Sequence, residues 1–430
     1  MFIRQFIVCF LGAMAGVILA RVLGVEGKGA YALVLLVPKM AVTLGNLGIR
    51  GANIYFLGKK EKEERNIIAN SLFLAFIIGL FIIFIIFIIF SPLRENFFSG
   101  VPQNYLYFGI FSIPFLLLSS YFNGVIIAKD LIKKLVVKDV VINVISLLLL
   151  GLTVWYFKLG LIAALVVWFI ILVVDAFINF VFVNQASRKI KWRFSVPVFK
   201  ESIVYGLKIY LGNLVQFLNY RLDMFLVSFF MGVRFVGFYS IAVSLAELIW
   251  YFPDSFATML FPRVSSSSEK ENNRFTPLVT RNVALLLLIE ILFILVTGRF
   301  VVWLLYGEGF FPSLRPFYFL LPGVLILGFG KILSADLAGR GKPVINAYIS
   351  IVALFINISL NIYLIPKMGM SGAALASTIS YTVTGILTII YFIKLTGCKL
   401  SKILFVQKED FAYYRDFINK KLLKRGIKEL

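Results

Sequence analysis

Eleven ionisable side chains stand inside long apolar stretches of this chain, and their types and spacing allow two kinds of chemistry. Lys39, Arg50, Lys208, Arg221 and Lys331 are cations, whereas Asp175, Asp223, Glu247, Asp254, Glu290 and Asp336 are carboxylates. A charge near the centre of a bilayer costs about 2.5–3.5 kcal/mol on insertion scales, so each should face a wet cavity or a partner. Cations placed this way would hold an anion, and carboxylates in a low-dielectric cavity could load and release a proton or a sodium ion. At about 100° per residue, Lys39, Thr43, Asn46, Arg50 and Asn53 share a stripe about 80° wide on one helix. Glu247, Tyr251, Asp254 and Thr258 form a second stripe, and Lys208, Gly212, Gln216, Asn219 and Asp223 a third. Arg221 points off that third stripe, toward a structural partner such as another helix's carboxylate. Asp175 could pair with Arg50 or Arg221, and spacing does not choose between them.

The candidate anion-holding set is therefore Lys39, Arg50, Lys208 and Lys331, with Asn46 and Asn219 beside them. Asp223, Glu247, Asp254 and Asp175 are the candidate ion-coupling carboxylates. Asn346, Ser350, Asn357 and Asn361, then Ser377, Tyr381, Thr384 and Thr388, make weaker stripes. Such groups commonly join membrane helices by hydrogen bonds worth about 0.6 kcal/mol on average, and that structural role is favoured for them.

Several other chemistries are excluded. The chain has no histidine, so no imidazole can bind metal or relay a proton. Cys9 and Cys398 stand at opposite ends, which leaves neither a disulfide framework nor a CxxC site. No G-x-x-x-x-G-K-[ST] phosphate loop occurs. The formal net charge of +22 could suggest nucleic acid as a partner, but the basic residues fall in alternate loops, as in membrane proteins.

The elements that must position these groups are membrane helices. The chain is 60% hydrophobic, and apolar runs such as 66–90, 140–157 and 278–303 are long enough to cross a hydrocarbon core of about 30 Å. In lipid, every backbone polar group must be paired internally, which favours helices. The pattern predicts an all-α polytopic membrane protein with about twelve spans, near 5–23, 31–57, 66–90, 104–128, 140–157, 160–184, 203–230, 235–261, 278–303, 316–337, 344–365 and 370–393.

The spans form two similar halves. Gly24-Val25, Gly29 and Tyr31 return 208 residues later as Gly232-Val233, Gly237 and Tyr239. Lys158, Gly160 and Ala163-Ala164-Leu165 return as Lys367, Gly369 and Ala373-Ala374-Leu375, with one residue inserted. Repeated halves suggest paired bundles with a cavity between them. At the same offset Lys39 falls on Glu247, so the halves match in geometry but not in charge. The expected organisation is a six-helix lobe over 1–185, a linker over 186–202, a second lobe over 203–395 and a tail over 396–430.

The Lys/Arg bias between alternate loops places both termini in the cytoplasm. In the tail, Leu400, Ile403, Leu404, Phe411, Tyr414, Ile418 and Leu422 recur at near-helical spacing among lysines. That predicts a basic amphipathic helix lying on anionic membrane lipids.

Leu23-Gly24-Val25-Glu26-Gly27-Lys28-Gly29-Ala30-Tyr31, with Leu44-Gly45-Asn46-Leu47-Gly48 and Ala52-Asn53, resembles the opening of bacterial polysaccharide flippases. Gly212-Asn213 through Asn219-Tyr220-Arg221-Leu222-Asp223, Val236-Gly237-Phe238-Tyr239 and Phe261-Pro262-Arg263 carry the same resemblance. The family is the Wzx-type branch of the multidrug/oligosaccharidyl-lipid/polysaccharide (MOP) exporter superfamily. The resemblance covers essentially residues 1–395 and is most specific over the first two and the seventh and eighth spans. It implies a MATE-like, V-shaped pair of lobes that alternates access, and no enzyme activity. The implied substrate is an oligosaccharide on an undecaprenyl pyrophosphate carrier, flipped from the cytoplasmic to the outer leaflet of a bacterial or archaeal cytoplasmic membrane. No cofactor is implied beyond a transported proton or sodium ion, and polysaccharide-assembly proteins are implied as partners. Family cavities tend to be cationic, which Lys39, Arg50, Lys208 and Lys331 match by position and charge. Twelve spans depart from the fourteen typical of the related lipid II flippases.

Two rivals remain, the first from the same superfamily and the second from another class. A multidrug cation antiporter would need an acidic N-terminal lobe, where Lys39 and Arg50 make this one basic. A membrane-embedded glycan polymerase or transferase would need a large outer loop with paired acids, and the loops here are short.

Overall fold

The computed structural model describes residues 2–59, 64–98, 100–187, 194–405, 407 and 410. The N-terminal half comprises α1 (Phe2–Gly45), α2 (Ile49–Lys59), α3 (Glu64–Phe97), α4 (Gln103–Phe111), α5 (Ile113–Ala128), α6 (Ile132–Leu150) and α7 (Gly160–Ala186). A π-helical turn, Gly151–Tyr156, extends α6. The C-terminal half comprises α8 (Val196–Met231), α9 (Val233–Leu248), α10 (Tyr251–Ser266), α11 (Glu269–Tyr306), α12 (Leu314–Gly339), α13 (Pro343–Met368) and α14 (Met370–Thr396), then the short α15 (Leu400–Leu404). Among the described residues there is no strand.

Nine described helices are long and apolar enough to cross a membrane, or ten if the bent pair α9–α10 is one span. Because α1 turns at Gly24 it supplies two crossings, and the 36-residue α8 supplies another, which gives twelve. Outward faces stay apolar, as lipid requires: Phe81 and Phe84 on α3 and Phe293 and Val296 on α11 are all well exposed. The start of α11 shows how local sequence sets a boundary. Ser268 and Glu271 form a reciprocal capping box there, satisfying N–H groups that a helix start leaves free.

The repeated motif has a residue-by-residue explanation. Gly24 adopts φ 67°, ψ −170° and Gly232 adopts φ 88°, ψ 175°, a region essentially closed to residues with a Cβ. Each glycine therefore breaks the path at the same place in its half and sends the chain back across. The second glycines allow close approach. A Cβ on Gly29 would lie 2.1 Å from the Val233 carbonyl oxygen, and one on Gly237 would lie 2.1 Å from the Val25 carbonyl oxygen. The two copies of the motif interlock reciprocally, α1 against α9.

The linker expected over 186–202 is partly helix. Residues 188–193 lie outside the described residues, and α8 already begins at Val196. Its first turns dock on the N-terminal half, with Val198 packed among Ala52, Phe56 and Ile67. The Ser195 N–H donates to Asn70 at 2.8 Å, and the Asn70 amide donates back to the Ser195 carbonyl at 2.8 Å. Of the amphipathic tail, Leu400–Leu404 is helical and Ile403 is buried, whereas Phe411, Tyr414, Ile418 and Leu422 lie outside the described residues. Asp410 is buried against Arg281 of α11, which also donates to the Lys402 carbonyl at 3.0 Å.

Candidate functional site

Two contacts between the halves bracket the central charges. On one side the Gly29–Gly237 interlock joins α1 to α9. There Arg21 of α1 also donates to the carbonyls of Leu304 and Leu305 (2.8 Å to Leu305), capping the end of α11, where helix carbonyls lack intrahelical partners. Toward the basic loops, the Tyr210 hydroxyl of α8 donates to the Thr43 carbonyl of α1. The Tyr251 hydroxyl of α10 lies close to the Cys9 thiol of α1. Thr43 and Tyr251 are repeat equivalents, so each half reaches the other's first helices from the same position. At 1.5 Å per residue, Lys39 lies about 15 Å along α1 from Gly29 and about 6 Å from Thr43, between the two contacts.

Lys39 is exposed in this space, within electrostatic range of Arg221 and Glu247 from the other half. Lys28 is a second cation there and one that loop assignment from sequence missed. It lies within α1, with its ammonium 5.9 Å from the Tyr31 ring and 3.8 Å from where a Gly16 Cβ would stand, and it interacts electrostatically with Lys39. Its i,i+3 spacing to Tyr31, between the two motif glycines, was the available signal. Neither lysine has an ion pair among the described residues.

Three cations of the C-terminal half are compensated within it. Arg221 and Glu247 form a bidentate pair at 2.8 and 3.0 Å, which supplies the expected carboxylate for Arg221. Lys331 and Asp254 meet at 2.7 Å, with the ammonium also 4.5 Å from the Trp250 ring centre. A presumed anion-binder and a presumed ion-coupler thus satisfy one another. Asp336 is buried between Arg340, at 2.5 Å, and Thr276, at 2.6 Å.

Asp223 differs from the other carboxylates of its half. It is 1% exposed and accepts from the Tyr239 hydroxyl at 2.6 Å, the Ser377 hydroxyl at 3.0 Å and the Met224 N–H at 2.7 Å. Asn219 lies one turn away and accepts from Ser380 at 2.9 Å, and the buried Asn357 donates to Ser377. Asn361 Oδ1 is buried without a hydrogen-bond partner. Asp223 and Asn219 therefore sit inside the C-terminal bundle between α8, α13 and α14, away from Lys39. From the stripes expected on α13 and α14, Asn357 and Ser377 border this cluster, whereas Asn346 donates to the Ser334 carbonyl and Thr384 and Thr388 bond to their own helix.

Three expectations need correction. The stripe from Lys39 to Asn53 is interrupted: α1 ends at Gly45, Leu47 and Gly48 take positive φ, and α2 restarts at Ile49. Helical phase is lost across those residues, so Arg50, exposed on α2, does not continue the face of Lys39. Asn53 turns into the N-terminal core, donating to Ser71 at 2.8 Å, and Asn46 donates to Ser120 at 3.1 Å. Asp175 pairs with neither Arg50 nor Arg221. Its partner is Lys138 at 2.6 Å, a residue assigned from sequence to a loop but 5% exposed within α6. The side chain of Lys208 lies outside the described residues.

Two interlocked helical bundles around a charged space define a multi-pass membrane protein with the two-lobe transporter fold. The structure matches the lipid II flippase MurJ in an inward closed conformation with TM-score 0.79 and 16% identity, over 93% of this chain and 88% of that one. An inward-facing multidrug resistance MATE family transporter of the MOP superfamily matches with TM-score 0.72 and 14% identity, over 90% of this chain and 94% of that one. The chain belongs to the polysaccharide biosynthesis protein family whose model matches residues 18–315. The probable low-salt glycan biosynthesis flippase Agl15 of Haloferax volcanii is 25% identical over 170 residues, which is 39% of this chain and 36% of that protein.

Proposed function

We propose that this protein flips a lipid-linked oligosaccharide across the membrane for cell-surface polysaccharide assembly. The observation that carries the reading is the pair of cations Lys28 and Lys39, without an ion pair among the described residues and held between two inter-lobe contacts. An anionic headgroup such as a pyrophosphate would neutralise both, and its entry and exit require the contacts to open in turn. Reciprocal glycine contacts suit that motion, because backbone against backbone separates without repacking large side chains. Family membership and the resemblance to Agl15 support the substrate class, with undecaprenyl pyrophosphate as the expected carrier. Both termini would face the cytoplasm, so transport would run from that leaflet outward.

Coupling to a proton or sodium gradient would run through Asp223. Glu247 and Asp254 already hold cations, whereas Asp223 is surrounded by hydroxyl and amide groups and could exchange a small ion. Asp223→Asn should leave headgroup binding intact and make flux insensitive to an imposed gradient; a retained gradient response would exclude this role. The multidrug-antiporter rival loses support from the same pairs, because the carboxylates that would attract a cationic drug are engaged.

Deleting the gene and assaying the leaflet distribution of lipid-linked oligosaccharides tests the whole reading. Accumulation on the cytoplasmic leaflet, reversed by the intact gene, is expected. Absence of any accumulating intermediate would remove the flippase reading.

A further inference from the structure

A flippase must also guide a long hydrocarbon chain, and the two sides of the inter-lobe seam are unequally fitted for that. On one side α1, α3 and α8 enclose a slot of about 650 Å³ whose lining is entirely apolar, including Met40, Leu44, Phe81, Ile85, Leu222 and Phe225. Leu44 and Phe81 are more than half exposed. Along α3 the lining runs from Ile78 to Ile86, about 12 Å at 1.5 Å per residue, and Phe97 and Phe98 join it further along the chain. Contacts close both ends. Near Phe97 the Ser228 hydroxyl donates to the Phe97 carbonyl at 2.5 Å, and Phe97 packs on Phe229. At the other end Gly48 meets the Gly206 carbonyl.

The slot adjoins the charged space through neighbouring residues on the same helices. Met40 follows Lys39 on α1, and Leu222 follows Arg221 on α8, so the wall between them is one helix thick. The repeat-related side lacks this character. Shifted by 208 residues, Ile82 of the slot falls on Glu290 of α11, whose Oε2 is buried with no hydrogen-bond partner. An uncompensated carboxyl group at mid-membrane opposes a hydrocarbon occupant.

We infer that the α1–α3–α8 slot is the track for the polyprenyl tail of the substrate while the anionic headgroup lies against Lys28 and Lys39. The inference rests on the flippase reading and specifies which side of the seam the lipid uses. An apolar wall one helix away from Lys39 and Arg221 lets the tail stay in hydrocarbon while the headgroup occupies the charged space.

The test uses the full-length protein in nanodiscs with a pyrophosphate-linked oligosaccharide on a polyprenol that carries a photoreactive group at mid-chain. After confirming in proteoliposomes that this lipid is flipped, crosslinks are mapped by peptide mass. Adducts on α3 around Phe81 and Ile85 are expected. Adducts concentrated on α11 around Ile289, or on neither helix, would overturn the assignment of the track and leave the flippase reading standing. Failure to flip the lipid at all would strike that reading instead. Ile85→Lys gives a functional check. It should reduce flux about tenfold while preserving affinity for a tailless pyrophosphate-oligosaccharide, and Ile289→Lys should have the smaller effect on flux. Equal losses in the two variants would contradict the proposal.

Discussion

The two halves solve the problem of charge in a membrane differently. In the C-terminal half Arg221 meets Glu247, Lys331 meets Asp254 and Arg340 meets Asp336, so these three cations are matched before any ligand arrives. In the N-terminal half Lys138 is matched by Asp175, but Lys28 and Lys39 have no ion pair among the described residues, and the Glu247 within electrostatic range of Lys39 is already paired with Arg221. An unmatched charge in a low-dielectric setting is costly to maintain, and it persists where a ligand supplies the missing partner. The difference teaches that the repeat was duplicated in backbone and diversified in charge. On the proposed reading one half presents a site for an anion, whereas the other pairs Arg221, Lys331 and Arg340 with carboxylates and holds Asp223 among hydroxyl groups.

The largest expected effect comes from inverting a single charge. Lys39→Glu replaces attraction of an anion by repulsion and should reduce flux of a pyrophosphate-linked substrate roughly a hundredfold, as two or more kcal/mol of a charged interaction implies. Lys331→Met, in the compensated half, should reduce it only about two- to fivefold. Reconstituted flipping assays on the two variants check this, and equal losses would break the distinction between the halves.

An intermediate effect sharpens the same contrast in the opposite direction. Glu247→Gln removes the partner of Arg221 and gives the C-terminal half an unmatched cation of its own. Affinity for the anionic headgroup should rise about fivefold, measured by ligand titration. The pair is partly exposed, at 27% and 30%, so the accompanying loss of stability should be only about 1 kcal/mol. Weaker headgroup binding in this variant would show that Arg221 does not face the ligand.

How much of this was legible in the sequence depends on distance along the chain. The helices, the two halves and the Gly24/Gly232 breaks follow from local pattern, because lipid leaves the backbone few alternatives and positive φ selects glycine. The Lys39/Glu247 mismatch followed from the repeat alone. Pairing did not: Lys138 with Asp175 and Lys331 with Asp254 join residues 37 and 77 positions apart, and nothing local selects those partners. Helical phase also failed where Gly45–Gly48 interrupts the helix, because periodicity extrapolates through a break it cannot see. Lys28 and Lys138 were lost to loops for a related reason, since charge lowers local hydropathy even when the helix continues.

The smallest expected effect concerns the tail, which lies outside the contrast and serves as its control. Burial pushes the Asp410 carboxyl up, but hydrogen bonds from Arg281 and the Gln407 N–H outweigh it and hold the group below the usual carboxylate range. Its stabilising contribution is therefore complete above the ordinary value of about 3.9 and is lost as pH falls through the lowered folded value. Thermal unfolding in detergent at pH 7 and pH 3 should show an acid loss of up to about 1 kcal/mol in the native chain that Asp410→Asn lacks. Flux of this variant at pH 7 should stay within about twofold of the native chain; a larger loss would bring the tail into the transport cycle.

The most direct test of the unmatched-cation claim is binding of a polyprenyl-pyrophosphate oligosaccharide to the native chain and to the Lys28→Ala/Lys39→Ala double variant, titrated in nanodiscs at low and high salt. Loss of both cations should weaken binding at least about thirtyfold and flatten its salt dependence. Unchanged affinity with unchanged salt dependence would mean that the anion is held elsewhere, and the division between a cationic half and a compensated half would have no part in transport.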